Sequence, residues 1–114
     1  ARLEAIAALV PQPRVLHGAS GVPAELVTRF RAAGGSIEGA VGIHPEDVTR
    51  AVRNGIAKVN TDTDLRLAFT TSVRETLGRD AGLFDPRQIL GPAREAMQAV
   101  VEERMRLFGS AGRA

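Results

Sequence analysis

The chain has 114 residues, 44% of them hydrophobic, which suits one globular unit; no apolar run approaches the roughly 18 residues of a membrane span. It has no cysteine, so disulfides and thiolate metal ligands are excluded and any metal must use His, carboxylates or other oxygens. Net charge is only +2, and the isoelectric point of about 10.4 arises because every cationic residue except Lys58 is arginine, with no tyrosine or cysteine to deprotonate in the alkaline range.

The arginines are dispersed among Asp and Glu, without a basic run or interleaved aromatics, so neither nucleic acid nor membrane is an expected partner. With no basic-then-apolar leader pattern, the expected location is the cytoplasm.

In chain order, residues 2–9 carry Leu3, Ile6 and Leu9 at helical spacing and are closed by Pro11 and Pro13. Arg14 to His17 is a short predicted strand. Pro23 opens a helix with Leu26, Val27 and Phe30 on its apolar side, ending at Gly34-Gly35. Residues Gly34 to Gly42 form a glycine-rich loop, and Pro45 opens a second short helix that stops at Asn54-Gly55. Ile56 to Asn60 is the second strand, in which alternation places Ile56, Lys58 and Asn60 on one face.

A helix from about Asp64 to Leu77 follows, with Asp62-Thr63-Asp64 supplying acceptors for its first N–H groups. Phe84-Asp85-Pro86-Arg87 is expected to be a turn. Pro92 is expected to start the last helix, striped by Ala93, Ala96, Met97, Val100, Val101, Met105 and Phe108, before a short tail from Gly109 to Ala114. This order is a βαβ unit with a right-handed crossover. Two parallel strands cannot bury both faces or close a barrel, so the chain is expected to belong to a larger sheet.

The ends of such strands converge on one face, where ligands bind. His17 precedes Gly18, which lets backbone approach a ligand beside an imidazole; one His is not a metal site, and a loop histidine held by a hydrogen bond is the alternative. Ser20 and Gly21 beside a helix start suit a phosphate, although simple turn chemistry also explains them. Asn60 to Asp64 is more polar than a helix cap requires. Asn60 suits a substrate hydroxyl or carbonyl, and Thr63 a phosphate at the helix N-terminus. Arg66 and Arg87 could each pair with a phosphate or with a nearby acid. His44 is expected to be structural, and Lys58, on the Asn60 face, to pair with an acid inside a barrel, since a Schiff-base role needs a dry pocket.

Leu16-His17-Gly18-Ala19-Ser20-Gly21-Val22-Pro23 and Ala57-Lys58-Val59-Asn60-Thr61-Asp62-Thr63-Asp64-Leu65-Arg66 resemble the class II fructose-bisphosphate aldolases. So do Phe84-Asp85-Pro86-Arg87, Gly91-Pro92-Ala93-Arg94-Glu95-Ala96-Met97 and Arg106-Leu107-Phe108-Gly109-Ser110-Ala111-Gly112. The resemblance runs over nearly the whole chain and covers about the C-terminal third of that family's length. It implies an α/β fold: the C-terminal part of a (β/α)8 TIM barrel, comprising the last two strands and their helices plus a C-terminal helix. Residues 1–114 would then be a fragment of one barrel domain and not an independent domain.

The activity implied is reversible, zinc-dependent cleavage of fructose 1,6-bisphosphate to dihydroxyacetone phosphate and glyceraldehyde 3-phosphate, a lyase step of glycolysis and gluconeogenesis. By resemblance, His17 is a ligand of zinc, or of another divalent metal such as cobalt. Gly18, Ala19 and Ser20 bind dihydroxyacetone phosphate, with Gly18 and Ser20 also near a monovalent cation. Asn60, Thr61, Asp62 and Thr63 form the second half of that triose-phosphate site. Arg66 contacts the far half of the sugar bisphosphate. Arg87 reaches the substrate phosphate in a neighbouring subunit of a homo-oligomer, either a dimer or a tetramer.

The implied mechanism is metal stabilisation of an enediolate. The acid/base residue and the remaining zinc ligands are expected in the N-terminal part of the barrel, so no catalytic residue is assigned within this fragment, and the fragment alone is expected to be inactive. Two departures stand out: Ala19 replaces the usual second glycine, and the segment Arg31 to His44 is longer than usual, as a surface excursion or an oligomer contact. A tagatose-bisphosphate aldolase is a close rival. A non-catalytic helical interaction module using residues 92–108 is a rival of another class; it predicts an independently folded monomer and leaves His17 and the Asn60 to Asp64 cluster without purpose.

Overall fold

The computed structural model describes residues 2–18, 21–39 and 42–113. Its elements are α1 (Arg2–Leu9), β1 (Arg14–Leu16), α2 (Ala24–Ala32), α3 (Pro45–Arg53), β2 (Ile56–Val59), α4 (Thr63–Arg79) and α5 (Pro86–Phe108). The two strands pair in parallel, with Val15 opposite Lys58 and Leu16 opposite Val59, after an irregularity between Arg14 and Val15. That irregularity sits where Arg14 turns its guanidinium onto the Asn54 carbonyl at 2.9 Å, clamping the start of β1 to the end of α3.

The core lies between helices. Leu26, Val27 and Phe30 of α2 pack with Leu67 and Ala68 of α4, and Ala96 and Val100 of α5 close over them. Ile37 joins this cluster, and the carbonyl of Gly34 accepts from Arg74 Nη1 at 2.8 Å. The described part of the 31–44 segment is therefore folded back onto α2 and α4 rather than looping freely. Across the same pair of helices, Arg29 grips Glu75 through two bonds of 2.8 and 2.9 Å, and these hold the Glu75 carboxyl below its ordinary pKa.

Element ends differ from those read in the sequence: β1 and β2 each stop one residue earlier, and α4 runs from Thr63 to Arg79 rather than from about Asp64 to Leu77. Pro23 is the N-cap of α2 rather than its first residue, extended at φ −61° and ψ 135°. The last helix begins at Pro86, not Pro92. Asp85 caps it by accepting from the Arg87 N–H at 2.9 Å, and Pro86 occupies the first helical position, where a missing N–H costs nothing. Pro92 is then tolerated inside the helix, at the expense of the one bond the Gln88 carbonyl would otherwise receive. Finally, α4 starts without a side-chain cap bond, although three capping residues stand there.

The sheet is thinly covered. Ile56 is buried, but Val15, Ala57 and Lys58 are exposed, so the predicted alternation in β2 does not translate into one buried and one open face. The whole molecule measures 59 × 33 × 17 Å, with a radius of gyration of 17.0 Å. A compact domain of this length would have a radius of about 13 Å. None of the described residues lies in a helix long and apolar enough to cross a membrane.

Candidate functional site

Because β1 and β2 run in parallel and end in register, the residues that follow them meet. The Asn60 N–H donates to the Leu16 carbonyl at 3.0 Å, extending the ladder by one bond. The Asn60 side-chain amide then lies 2.9 Å from His17 Nδ1. Engagement of Nδ1 leaves Nε2 as the ring nitrogen without this contact, on an exposed residue. The atom facing Nδ1 is Asn60 Nδ2, which donates, so Nδ1 accepts and the neutral ring carries its proton on Nε2; coordination of a metal through Nε2 requires the Asn60 amide to turn over and accept the Nδ1 proton with Oδ1. Among the described residues, no group of three or more His, Cys, Asp or Glu side chains converges in a way that could hold a metal ion. His17 is thus a single oriented donor at an exposed strand end.

Gly18 follows at φ +64°, a left-handed conformation that a side chain resists, so the chain turns sharply with its backbone accessible. Ala19 and Ser20, both expected to bind phosphate, lie outside the described residues. The chain re-enters at Gly21 and Val22, against which Gly42 packs without a gap. A Cβ at Gly42 would stand 2.6 Å from Val22 N and 2.8 Å from the Gly21 carbonyl carbon, both backbone atoms. Gly42→Ala is therefore expected to destabilise a full-length chain carrying this segment by about 1–3 kcal/mol, measured by urea unfolding.

At the other strand end, Asp62 is the N-cap residue of α4, but its carboxylate accepts from Arg66 Nε at 2.8 Å instead of capping. The first-turn N–H groups of α4 thus take no bond from the cap side chain, and Thr63 stands exposed beside them. Asp62, Thr63 and Arg66 line a cleft of about 300 Å³ with Phe30 and Ile37. Thr61 belongs elsewhere: its buried hydroxyl has no hydrogen-bond partner, and the residue lines a small cavity with Leu65, Arg104 and Phe108.

Arg87 is exposed and folds back on Asp85 with contacts of 2.7 to 3.2 Å, which hold the Asp85 carboxyl below its ordinary range. It lines a separate surface hollow with Asp80 and Phe84. The structure therefore groups His17 with Asn60, and Asp62 with Thr63 and Arg66, and sets Arg87 apart. Lys58 is exposed, and His44 is the exposed N-cap residue of α3, its carbonyl accepting from Asp47 and Val48 N–H groups.

One functional candidate escaped the sequence. Asp64, expected as a possible cap, is fully buried and paired with Arg104 of α5, whose Nη2 lies 2.6 Å from Asp64 Oδ2. The same nitrogen donates to the Gly21 carbonyl at 2.6 Å. The signal available was positional: Arg104 stands four residues after Val100 and four before Phe108, within the apolar stripe of α5.

The family model for class II fructose-bisphosphate aldolase matches residues 1–113. A fructose-bisphosphate aldolase of Thermus caldophilus is 69% identical over 113 residues, which are 99% of this chain and 37% of that protein. One from Helicobacter pylori (strain J99) is 43% identical over 112 residues, 98% of this chain and 36% of its own length. One from Nostoc is 41% identical over 114 residues, 99% of this chain and 32% of its own. The chain thus spans about a third of the length of the curated relatives it matches. The match takes in both strand ends, the α4 start and the C-terminal helix, and the chain belongs to the class II fructose-bisphosphate aldolase family.

Proposed function

We propose that this chain is the C-terminal part of a (β/α)8 barrel that cleaves fructose 1,6-bisphosphate reversibly into two triose phosphates, and that residues 1–114 are a fragment of that one domain. The observation that carries the reading is the 2.9 Å contact between His17 Nδ1 and the Asn60 amide, which joins the two strand-end motifs into one surface. Two further features support the fragment reading. A two-stranded parallel sheet with exposed Val15 and Lys58 lacks the cover that parallel sheets normally have. The 17 Å thickness is that of a slab.

The donor chemistry fits one corner of a divalent metal site, zinc or cobalt: an exposed imidazole with Nδ1 beside the Asn60 amide, whose Oδ1 would accept the Nδ1 proton after an amide flip and so free Nε2 for the metal. When bound, such a metal supplies Lewis-acid polarisation of the ketose oxygens. In this reading Asn60 orients the His17 ring and presents its amide to a substrate hydroxyl. Gly18, Ala19 and Ser20, with a monovalent cation near Gly18 and Ser20, and the start of α4 at Asp62 and Thr63, which lacks a side-chain cap bond, hold the triose phosphate. Thr61 contributes through its backbone, since its side chain lines the cavity against α5.

Arg66 faces the far half of the sugar once it leaves Asp62. That contact is an exposed pair of a kind that contributes little stability and so yields readily. Exposed Arg87 reaches a phosphate in a neighbouring subunit of a cytoplasmic dimer or tetramer. The acid/base group and the other metal ligands come from the rest of the barrel.

The test has two arms. A full-length chain carrying this segment is expected to cleave fructose 1,6-bisphosphate and to lose that activity on treatment with a chelator. The 114-residue polypeptide alone is expected to show no turnover under the same conditions; robust cleavage by it would sink the fragment reading.

A further inference from the structure

Arg104 stands well away from the strand ends in sequence, 83 residues after Gly21 and 40 after Asp64, yet one of its nitrogens touches both. Arg104 is 5% exposed and Asp64 is fully buried. As core filling the pair is a poor choice. Taking two charges out of water is costly, and an apolar pair of similar volume is often as stable or more so. The pair is also incompletely satisfied, because Asp64 Oδ1 and Arg104 Nε are buried without partners.

Its geometry does something an apolar pair cannot. Gly21 lies two residues before Pro23, the N-cap of α2, and Asp64 is the second residue of α4. Arg104 Nη2 donates to the carbonyl of the first and to the carboxylate of the second, each at 2.6 Å. Backing from the other side comes from the 42–43 loop: a Cβ on Gly21 would lie 3.1 Å from both the Arg104 nitrogens and the Ile43 carbonyl oxygen.

We infer that Arg104 is a positioning residue of the triose-phosphate site: it ties Gly21, on the β1 side, to Asp64 in the first turn of α4 and so sets the distance between the two sides of that site. This rests on the aldolase reading of those two segments. Anion sites need their donors held to within about 0.5 Å; the His17–Asn60 contact ties the two strand ends before these segments, and Arg104 adds a second tie beyond them, at Gly21 and Asp64.

The experiment uses full-length protein and calorimetric titration with dihydroxyacetone phosphate, with steady-state kinetics on fructose 1,6-bisphosphate alongside. Arg104→Met is expected to weaken triose-phosphate binding by roughly 10-fold or more and to raise KM more than it lowers kcat. Arg104→Lys, which keeps a charged donor, is expected to recover most of that loss.

The double variant Arg104→Met with Asp64→Leu leaves no unpaired buried charge, so its melting temperature is expected to return towards wild type while binding stays weak. A double variant or Arg104→Met protein that binds dihydroxyacetone phosphate as tightly as wild type would overturn the inference, leaving the pair purely structural. Should Arg104→Met not fold, the double variant and Arg104→Lys decide the matter. Wild-type protein that fails to bind dihydroxyacetone phosphate at all would instead bring down the aldolase reading, and this inference with it.

Discussion

Asp64→Ala, introduced into a full-length chain carrying this segment, is expected to cost about 3–5 kcal/mol of unfolding free energy, because it strands the Arg104 guanidinium in the interior. Asp64 is fully buried, and its Oδ2 is the charged partner of Arg104 Nη2 at 2.6 Å. The Gly21 carbonyl remains as an acceptor, but a carbonyl dipole does not neutralise a buried cation. Asp64→Asn, which keeps an oxygen acceptor without the charge, is expected to lie between wild type and the alanine variant. Urea unfolding with a single well-defined transition gives both differences directly. If the alanine variant unfolds within about 1 kcal/mol of wild type, the pair is not the buried, water-excluded contact described here.

This pair also marks the limit of what the sequence discloses. The two strand ends were legible because each is local. A short apolar run followed by His17-Gly18, or by Asn60-Thr61-Asp62, states where a strand stops and a helix starts within a few residues. Parallel pairing then requires the two ends to meet, and His17 and Asn60 do. The start of α5 was misjudged because two prolines competed for it. Asp85-Pro86 carries both a cap and a first-position proline, whereas Pro92 carries only the second.

The role of Asp64 was hidden for a different reason. Three potential capping residues in a row gave no sign that the third faces inward, and its partner lies on another helix 40 residues away. Arg66 and Arg87 illustrate a third kind of limit. Each could pair with phosphate or with a nearby acid, and here each is paired with an aspartate two to four residues before it.

The His17–Asn60 contact separates two roles that activity measurements can distinguish. Under the proposed function, His17 is a direct donor to the metal and Asn60 orients its ring while facing the substrate. Asn60→Ala is expected to lower kcat/KM by roughly 10–100-fold, the usual consequence of losing an outer partner of a metal-bound histidine. His17→Ala is expected to lower it further, beyond that range, and to reduce the metal content of purified full-length protein, measured by elemental analysis. Asn60→Asp sharpens the comparison. A carboxylate 2.9 Å from Nδ1 would favour the proton on that nitrogen and so keep Nε2 available, so this variant is expected to retain metal even where turnover falls. Full metal content and near-normal turnover in His17→Ala would remove His17 from the site. Loss of metal in Asn60→Asp, with His17 intact, would mean that the ring binds through Nδ1 and that the contact with Asn60 is broken when the metal enters.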